Sequence, residues 1–467
     1  VSKELPSGWV FAPIYDTFAP LADGKILHQG WSPQCERQPA DNDQQWAALK
    51  TTAIQYGFFD GRHNKKLPDH LEPRPHLEVR TGDILLTCAG PRERCGVSCL
   101  VKEARPKLMI SGKMYRFRAN DELVSPSYLS AFLRCTQSKE QIDEMKTGIS
   151  ESGMNLTRAR FSQIQVPIPP RKEQERITRT INSASERLSR ARDELAHIPK
   201  LIDRYRQAVL KSAFRGDLTA DWRNGEGPKW REVEALRLFD EGPTNGYSPK
   251  AAADAAGTKS LKLSATTTGT FILNDQTTKR LLEEVSPEAK FWLRPGDILI
   301  QRANSLEYVG ATAIFDGPAG QYIYPDLMMR VRIASPTTRL FFWRYMNSPS
   351  ARNWLKDRAT GTAGNMPKIS GTLLKVLPVP LPPEEEQAEI VSRIEQRFAA
   401  IETIANEFRQ AVKHVDRLDQ SILDKAFSGR LVTQDPTDEP ASTLLERIQA
   451  ARAAAPKVKQ GRSKTVE

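Results

Sequence analysis

VPIPPRKEQERI (Val166–Ile177) recurs as VPLPPEEEQAEI (Val379–Ile390), at an offset of 213 residues. AFRGDL (Ala213–Leu218) recurs as AFSGRL (Ala426–Leu431) at the same offset, so the 53 positions from 166 to 218 overlay their partners without a gap, with about 18 identities. Pro167, Pro169 and Pro170 in one copy, and Pro378, Pro380, Pro382 and Pro383 in the other, hold an extended entry, because the ring fixes φ and disfavours helix in the preceding residue. The acidic run Glu384–Glu386 then suits the positive end of a helix. Apolar residues follow at intervals of three and four, through Ile177, Ile181, Leu188 and onward to Ala213, and through Ile390, Ile394, Ile401 and onward to Ala426. That periodicity predicts two long helices, each with one apolar stripe. Gly216 and Gly429 are placed to stop them, and Pro199 is expected to kink or split the first. Roughly 40 helical residues would span about 60 Å. The two stripes bury most simply against each other; a coiled-coil dimerisation arm is the alternative.

Upstream, the repeat continues more loosely. RTGDILL (Arg80–Leu86) matches RPGDILI (Arg294–Ile300), LKTTAIQYG (Leu49–Gly57) matches LKLSATTTG (Leu261–Gly269), and GWSPQ (Gly30–Gln34) matches GYSPK (Gly246–Lys250), at offsets of 214, 212 and 216. A drifting offset marks small insertions in a variable unit, followed each time by a unit of fixed length. The chain is a duplication of about 210 residues, not an array of short repeats. This divides it into a first head (1–165), a first spacer helix region (166–218), a second head (219–378), a second spacer (379–432) and a tail (433–467), read as a short helix followed by disorder. A docking role for that tail on a partner stays open. The fold class expected is α+β: two α/β heads separated by two long antiparallel helices, related by pseudo-two-fold duplication.

The 467 residues exceed one ordinary core. The formal charge of +11 points to an acidic partner, most often nucleic acid. Both heads carry an excess of Lys and Arg and the second spacer is acidic, which suits two separate contacts with a polyanion better than one basic tail. Five cysteines, an odd number without paired or zinc-ligand spacing, predict reduced thiols, no metal and a cytoplasmic setting. Cys88, Cys95 and Cys99 read as small buried hydrophobes. The opening valine is consistent with removal of an initiating methionine, and no apolar leader or membrane-length run is expected.

Within the heads, LEVRTGDILLTCAG and FWLRPGDILIQRAN each read as a strand, a Gly-Asp turn and a buried strand. SPSYLSAFLRC and PTTRLFFWRYMNS read as short helices, and LMMRVRI (Leu327–Ile333) as a half-exposed strand. The candidate DNA contacts are Arg62, His63, Lys65, Lys66, Arg92, Arg94, Lys113 and Arg116 in the first head. In the second they are Tyr247, Lys250, Lys279, Arg280, Arg302, Asn304, Asn365 and Lys368. Arg and Lys pair with guanine edges and Asn with adenine, while most basic contacts go to phosphate. Taken singly, each is more often solvated surface charge.

Neither a phosphate-binding G-x-x-x-x-G-K-[ST] loop nor a G-x-G-x-x-G turn occurs, nor the Asn-Pro-Pro-aromatic tetrapeptide of amino-methyltransferases. Pro68-Asp69 and Pro325-Asp326 lack a downstream E-x-K at usable spacing, and the six histidines form no nucleophile–base pattern. No catalytic residue is therefore assigned.

The LPSGW opening, the Gly-x-Ser-Pro turns, the GDIL strands and above all the doubled PxPP-x-x-E-Q-x-x-I helices ending in AF-x-G-x-L resemble the specificity subunits of type I restriction-modification enzymes, over residues 5 to 432. The resemblance implies a non-catalytic subunit whose heads each read half of a split target on double-stranded DNA, with the helices setting the gap. It further implies two modification subunits docked on the helical region, represented here by Ile177, Ile181, Leu188, Ile390, Ile394 and Ile401. Those subunits would methylate adenine from S-adenosylmethionine, and restriction subunits would consume ATP with Mg. All three cofactors would belong to the partners. Two alternatives remain at this point: a coiled-coil scaffold without a DNA role, and the recognition part of a fused restriction-methylation enzyme.

Overall fold

The computed structural model describes residues 5–148, 150–251, 256–361 and 366–454. The chain packs as two compact units, one of residues 1–194 with 411–467 and one of residues 195–410. Both long helices form, Arg171–Phe214 and Glu384–Phe427, each of 44 residues, and each runs from one unit into the other. Every unit therefore holds one head and half of each helix. The helices run antiparallel: Arg192 pairs with Asp416 (3.1 Å) and Asp419 (3.4 Å) in the first unit, and Arg206 with Glu402 (3.3 Å) in the second. The architecture is the expected α+β duplication.

The helix boundaries follow from the repeated motifs. Gln174 and Gln387 donate their side-chain amides to Pro169 O (3.1 Å) and Pro382 O (2.9 Å), tying the proline entry to the first turn. Gly216 and Gly429 end the helices with φ of +84° and +68°, a conformation costly for any residue with a Cβ. Pro199 does not split the first helix, which is continuous through it. Its ring forgoes only the bond to the Leu195 carbonyl, and at this exposed position water can take that place.

The apolar stripe is used inside the chain. Ile177 and Ile181 join the first unit's core with Leu423, Ala426 and Phe427. Ile390 and Ile394 join the second unit's core with Val209, Leu210, Ala213 and Phe214. Ile401 is buried and Leu188 half-buried. The five isoleucines are thus buried within the chain and not exposed for docking. The Phe of each AFxGxL motif anchors its unit: Phe427 packs edge-on against Tyr128 (5.0 Å) and Phe132 (5.4 Å), and Phe214 against Phe341 (5.3 Å) and Tyr345 (5.2 Å). Each buried ring contributes on the order of 2–3 kcal/mol by removal from water, and each such pair about 1 kcal/mol more.

The heads share a topology. Met114–Ala119 lies between Ile84–Thr87 on one side and Phe18–Ala19 with Leu27–Gln29 on the other, and Ser98–Leu100 extends the sheet. In the second unit the same places are held by Met328–Arg332, Ile298–Gln301, Glu241–Asn245 and Thr312–Ile314. A smaller sheet pairs Ala47–Leu49 antiparallel to Asn64–Lys66 and parallel to Leu108–Met109; Lys259–Leu261 does the same with Thr278–Arg280 and Tyr322–Ile323. The proline-rich entries are short strands, Gln165–Ile168 against Val10–Pro13 and Pro378–Leu381 against Arg231–Glu234, the edge setting a proline tolerates. The two expected short helices appear as Pro126–Phe132 and Pro336–Met346, and each is followed by a helix that was not expected, Thr136–Met145 and Pro349–Asp357.

The strand expected before each Gly-Asp turn is missing in both units. The residues before each Gly-Asp turn form only an isolated bridge, Glu78 to Met109, in the first unit. Some carbonyls in and beside these stretches are taken by an arginine: Arg116 donates to Glu78 O and His76 O (2.7 Å), and Arg330 Nη1 to Lys290 O (2.9 Å) and Trp292 O (3.2 Å), while Leu77 O accepts from Ile110 N (3.1 Å) and Leu293 O from Gly320 N (2.8 Å). The tail forms its expected helix, Ala441–Ala454. It packs on the first unit's core through Ala441, Leu445 and Ile448, with Ala441 N donating to Gly8 O (2.9 Å) and Arg176 paired to Asp438 (2.8 Å). The disorder expected beyond it falls outside the described residues. Cys88, Cys95 and Cys99 are buried thiols within the cores, and burial pushes Cys88 and Cys99 up to about 12.

Candidate nucleic-acid interface

The Gly-x-Ser-Pro turn is clipped to the loop that enters the central strand. A Cβ on Gly30 would lie 2.2 Å from Ile110 O, and one on Gly246 2.2 Å from Tyr324 O. Only glycine permits that approach. Ser32 Oγ accepts from Gly112 N (3.1 Å) and Ser248 Oγ from Asp326 N (3.0 Å). The turn thereby fixes an aromatic residue beside the small sheet. Trp31 lies under the Arg74 guanidinium (4.2 Å), and Tyr247 stacks on Phe291 (5.2 Å) with its hydroxyl on Glu283 (2.8 Å).

Basic residues line a cavity beside the small sheet of each unit. In the first unit a cavity of about 300 Å³ is lined by Trp31, Lys50, Lys65 and Lys113. In the second, one of about 550 Å³ is lined by Lys259, Asn274, Lys279 and Arg280. Lys65 opposes Ala48 and Lys279 opposes Ser260, the same register position, while Lys66 and Arg280 form the next equivalent pair. Arg280 Nη1 also holds Ala256 O (3.1 Å) and Gly257 O (3.3 Å). Lys250 is exposed just beyond Tyr247. Concave cationic surface with an aromatic face suits a phosphate backbone with a stacking surface beside it.

The remaining candidates are distributed differently. Arg302, Asn304 and Lys368 come together through the Ala303–Lys368 bridge and the bonds Ile369 N to Arg302 O (2.9 Å) and Asn304 N to Pro367 O (3.3 Å). Asn365, beside them in sequence, lies outside the described residues. Arg62 is well exposed but bound to Asp60 (2.8 Å), and its hydrogen bond holds that carboxyl down to about 2. His63 bonds Thr52 Oγ1 (2.9 Å), and Lys66 pairs with Glu36 (3.1 Å). Arg92 bridges Asp143 (3.0 Å) and Glu151 (2.7 Å), and Arg94 Nη2 binds Thr51 O (2.7 Å) and Ile54 O (2.6 Å). Arg116 lies inside the sheet, 6% exposed. As a loop contact to DNA it is corrected to an interior arginine, because both terminal nitrogens are engaged within the protein.

Arg116 belongs to a network that the duplication repeats. Asp83 and Asp297, buried after each Gly-Asp turn, accept from Arg80 N (2.8 Å) and Arg294 N (3.0 Å). They also accept from Arg118 Nε (2.7 Å) and Arg332 Nε (2.6 Å). Sequence reasoning missed this network, as it missed Lys50, Trp31 and Lys259 as cavity residues. The repeated Leu-Lys of LKTT and LKLS, and the aromatic of the Gly-x-Ser-Pro turn, were the available signals. Among the described residues no group of three or more His, Cys, Asp or Glu is placed to hold a metal ion, and no helix is long and apolar enough to cross a membrane.

Residues 69–195 and 257–414 match the family described as the type I restriction modification DNA specificity domain. Over nearly its whole length the chain is similar to the type I restriction enzyme EcoKI specificity subunit of Escherichia coli strain K12, 31% identical over 482 aligned residues that cover 99% of each chain. It is 27% identical over 478 residues, again 99% of each, to the type I restriction enzyme StySPI specificity subunit of Salmonella potsdam. A chain from a structural study of complex assembly and conformational transition in a type I R-M system superimposes with a TM-score of 0.65 at 21% identity, over 92% of this chain and 100% of that one. That last likeness is one of fold.

Proposed function

Since the chain belongs to the family of type I restriction-modification specificity subunits, we propose that it is the DNA-recognition subunit of such a complex and reads a bipartite target. Residues 1–165 and 219–378 are the two heads, and residues 166–218 and 379–432 set the number of unspecified base pairs between the half-targets. One observation supports this most: two basic heads of the same topology but different loops are each fused to half of one pair of equal-length helices. A helix fixes rotation by about 100° and rise by about 1.5 Å per residue, which suits it as a spacer against a helical duplex.

The chemistry falls to partners in this reading. Two modification subunits dock on the exposed flanks of the helices and transfer methyl groups from S-adenosylmethionine to adenine flipped into their own pockets. Restriction subunits add ATP- and Mg-dependent cleavage. The chain itself binds double-stranded DNA, holds no cofactor and works in the cytoplasm. Methylated adenines mapped across a genome with and without the gene test this. The expected result is one split motif whose methylation disappears with the gene; an unchanged map overturns the reading.

A further inference from the structure

The duplication supplies an internal control for the arginine–aspartate network. In the second unit three arginines close on a second carboxylate: Glu241 pairs with Arg294 (3.4 Å), Arg330 (3.7 Å) and, most closely, Arg332. Glu241 stands opposite Arg332 in the sheet, and Ala19 stands opposite Arg118 in the equivalent pairing. Directly opposed residues share a face about 5 Å apart, so the first unit has a methyl group where the second has a carboxylate. Its three equivalent arginines are nevertheless all present. Among the described residues their ion pairs reach only Asp83, for Arg116 and Arg118, and Glu78 at 3.5 Å, for Arg80.

The three arginines open onto a cavity that begins at Pro20, next to Ala19 in the chain. The cavity, of about 250 Å³, is lined by Arg80, Arg116, Arg118, His28, His76 and Asp23. Arg116 is more than nine-tenths buried and its Nε has no hydrogen-bond partner, which is costly to leave so. The one acid in the lining is turned to other work: Asp23 bonds His28 Nε2 (2.9 Å) and accepts from Lys25 N (3.3 Å).

We propose that this cavity is an oxyanion site that takes a phosphate group in the position Glu241 fills in the second unit. Guanidinium forks match a phosphate in the same way as a carboxylate. The group is either free phosphate, inorganic or on a small molecule, or a phosphodiester of the bound duplex; the second source rests on the DNA-binding reading above.

Ala19→Glu is the decisive variant, because it builds the second unit's own counter-ion into the first. The full chain is titrated with inorganic phosphate against chloride at constant ionic strength, followed by thermal unfolding and calorimetry. Phosphate is expected to raise the parent's Tm, and Ala19→Glu to weaken phosphate binding by about tenfold or more. Arg118→Gln, which keeps a hydrogen-bonding side chain beside Asp83, serves as the second variant should the first fail to fold. A mixed-sequence duplex separates the sources. If Ala19→Glu lowers duplex affinity and reduces the salt slope by about one, the site takes a DNA phosphate; if duplex binding is untouched while phosphate binding is lost, the ligand is free. A parent that prefers phosphate no more than chloride, with duplex binding equal in both proteins, overturns the proposal, as does phosphate binding equally well to parent and variants. A chain that binds no duplex at all defeats the functional reading but leaves the phosphate arm to judge the pocket.

Discussion

Glu173 and Glu386 hold the same place in the repeat under different electrostatics. Each is buried and accepts an indole N–H, from Trp9 (3.1 Å) and Trp230 (2.9 Å) respectively. Glu386 also accepts from Thr219 (2.9 Å) and pairs with Arg223. Glu173 has no cation within pairing distance among the described residues, and burial raises its pKa above the ordinary 4.5 against the pull of the Trp9 bond. A raised folded value means the native state holds the proton more tightly than the unfolded one. That contribution is full below about pH 4.5 and is lost as pH climbs through the raised value. Glu173→Gln is therefore expected to be neutral or stabilising at pH 8 and to flatten the pH dependence above 4.5. Glu386→Gln strands Arg223 and is expected to lose about 3 kcal/mol. Urea unfolding at pH 5 and pH 8 compares them, and equal losses at pH 8 would refute the distinction. At the basic cavity of the first unit, Lys113→Ala and Lys65→Ala should each lower duplex affinity and reduce the salt slope by about one without changing the methylated motif; an unchanged slope removes the residue from the proposed interface. Sequence pattern pointed to these lysines, which line the cavity, and to Arg116, which is interior. Read as a loop residue, Arg116 belongs on the surface, and only the fold shows that it lies in a strand with Asp83, some thirty residues away, and two backbone carbonyls within its reach.

The elements most legible in the sequence are those that local chemistry encodes. Proline entry, acidic first turn, apolar stripe and terminal glycine each act within a few residues, so Arg171–Phe214 and Glu384–Phe427 are legible from residue order alone. What the stripe packs against is a tertiary matter, and Ile177 and Ile390 face their own units' cores. Pro199 tests how far the surrounding packing overrides propensity. Replacement by Ala restores the bond to Leu195 O and, at an exposed position, sacrifices little contact, so Pro199→Ala should stabilise the chain by about 1–3 kcal/mol in urea unfolding. No gain, or a loss, would show that the helix is built around the proline. A second prediction concerns length. Four residues inserted near position 190 add about one turn, or 6 Å, nearly preserve the facing of the helix, and should lengthen the unspecified gap in the methylated motif. A motif with an unchanged gap in a folded, active complex would end the spacer reading.

At the scale of the molecule, the duplication separates what must be kept from what can vary. Each unit closes its own apolar clusters, and the second, smaller cluster of each head contains no residue of either long helix. The Gly-x-Ser-Pro turn, the Gly-Asp turn and the Arg–Asp network recur in both units at equivalent registers. Apart from Lys65 and Lys279, which share a register position, the side chains highlighted in the basic cavities differ: the first cavity has Trp31 and Lys113, the second Asn274 and Arg280. Framework thus repeats while the reading surface differs, as two heads reading different half-targets require. Exchanging residues 219–378 for the corresponding head of a relative, with both spacers retained, should then change one half of the methylated motif and leave the other half and the gap intact. Methylation mapping in cells that carry the matching partner subunits reads this directly. A change in both halves would mean that the heads do not read independently, and an unchanged motif would mean that base recognition lies outside residues 219–378.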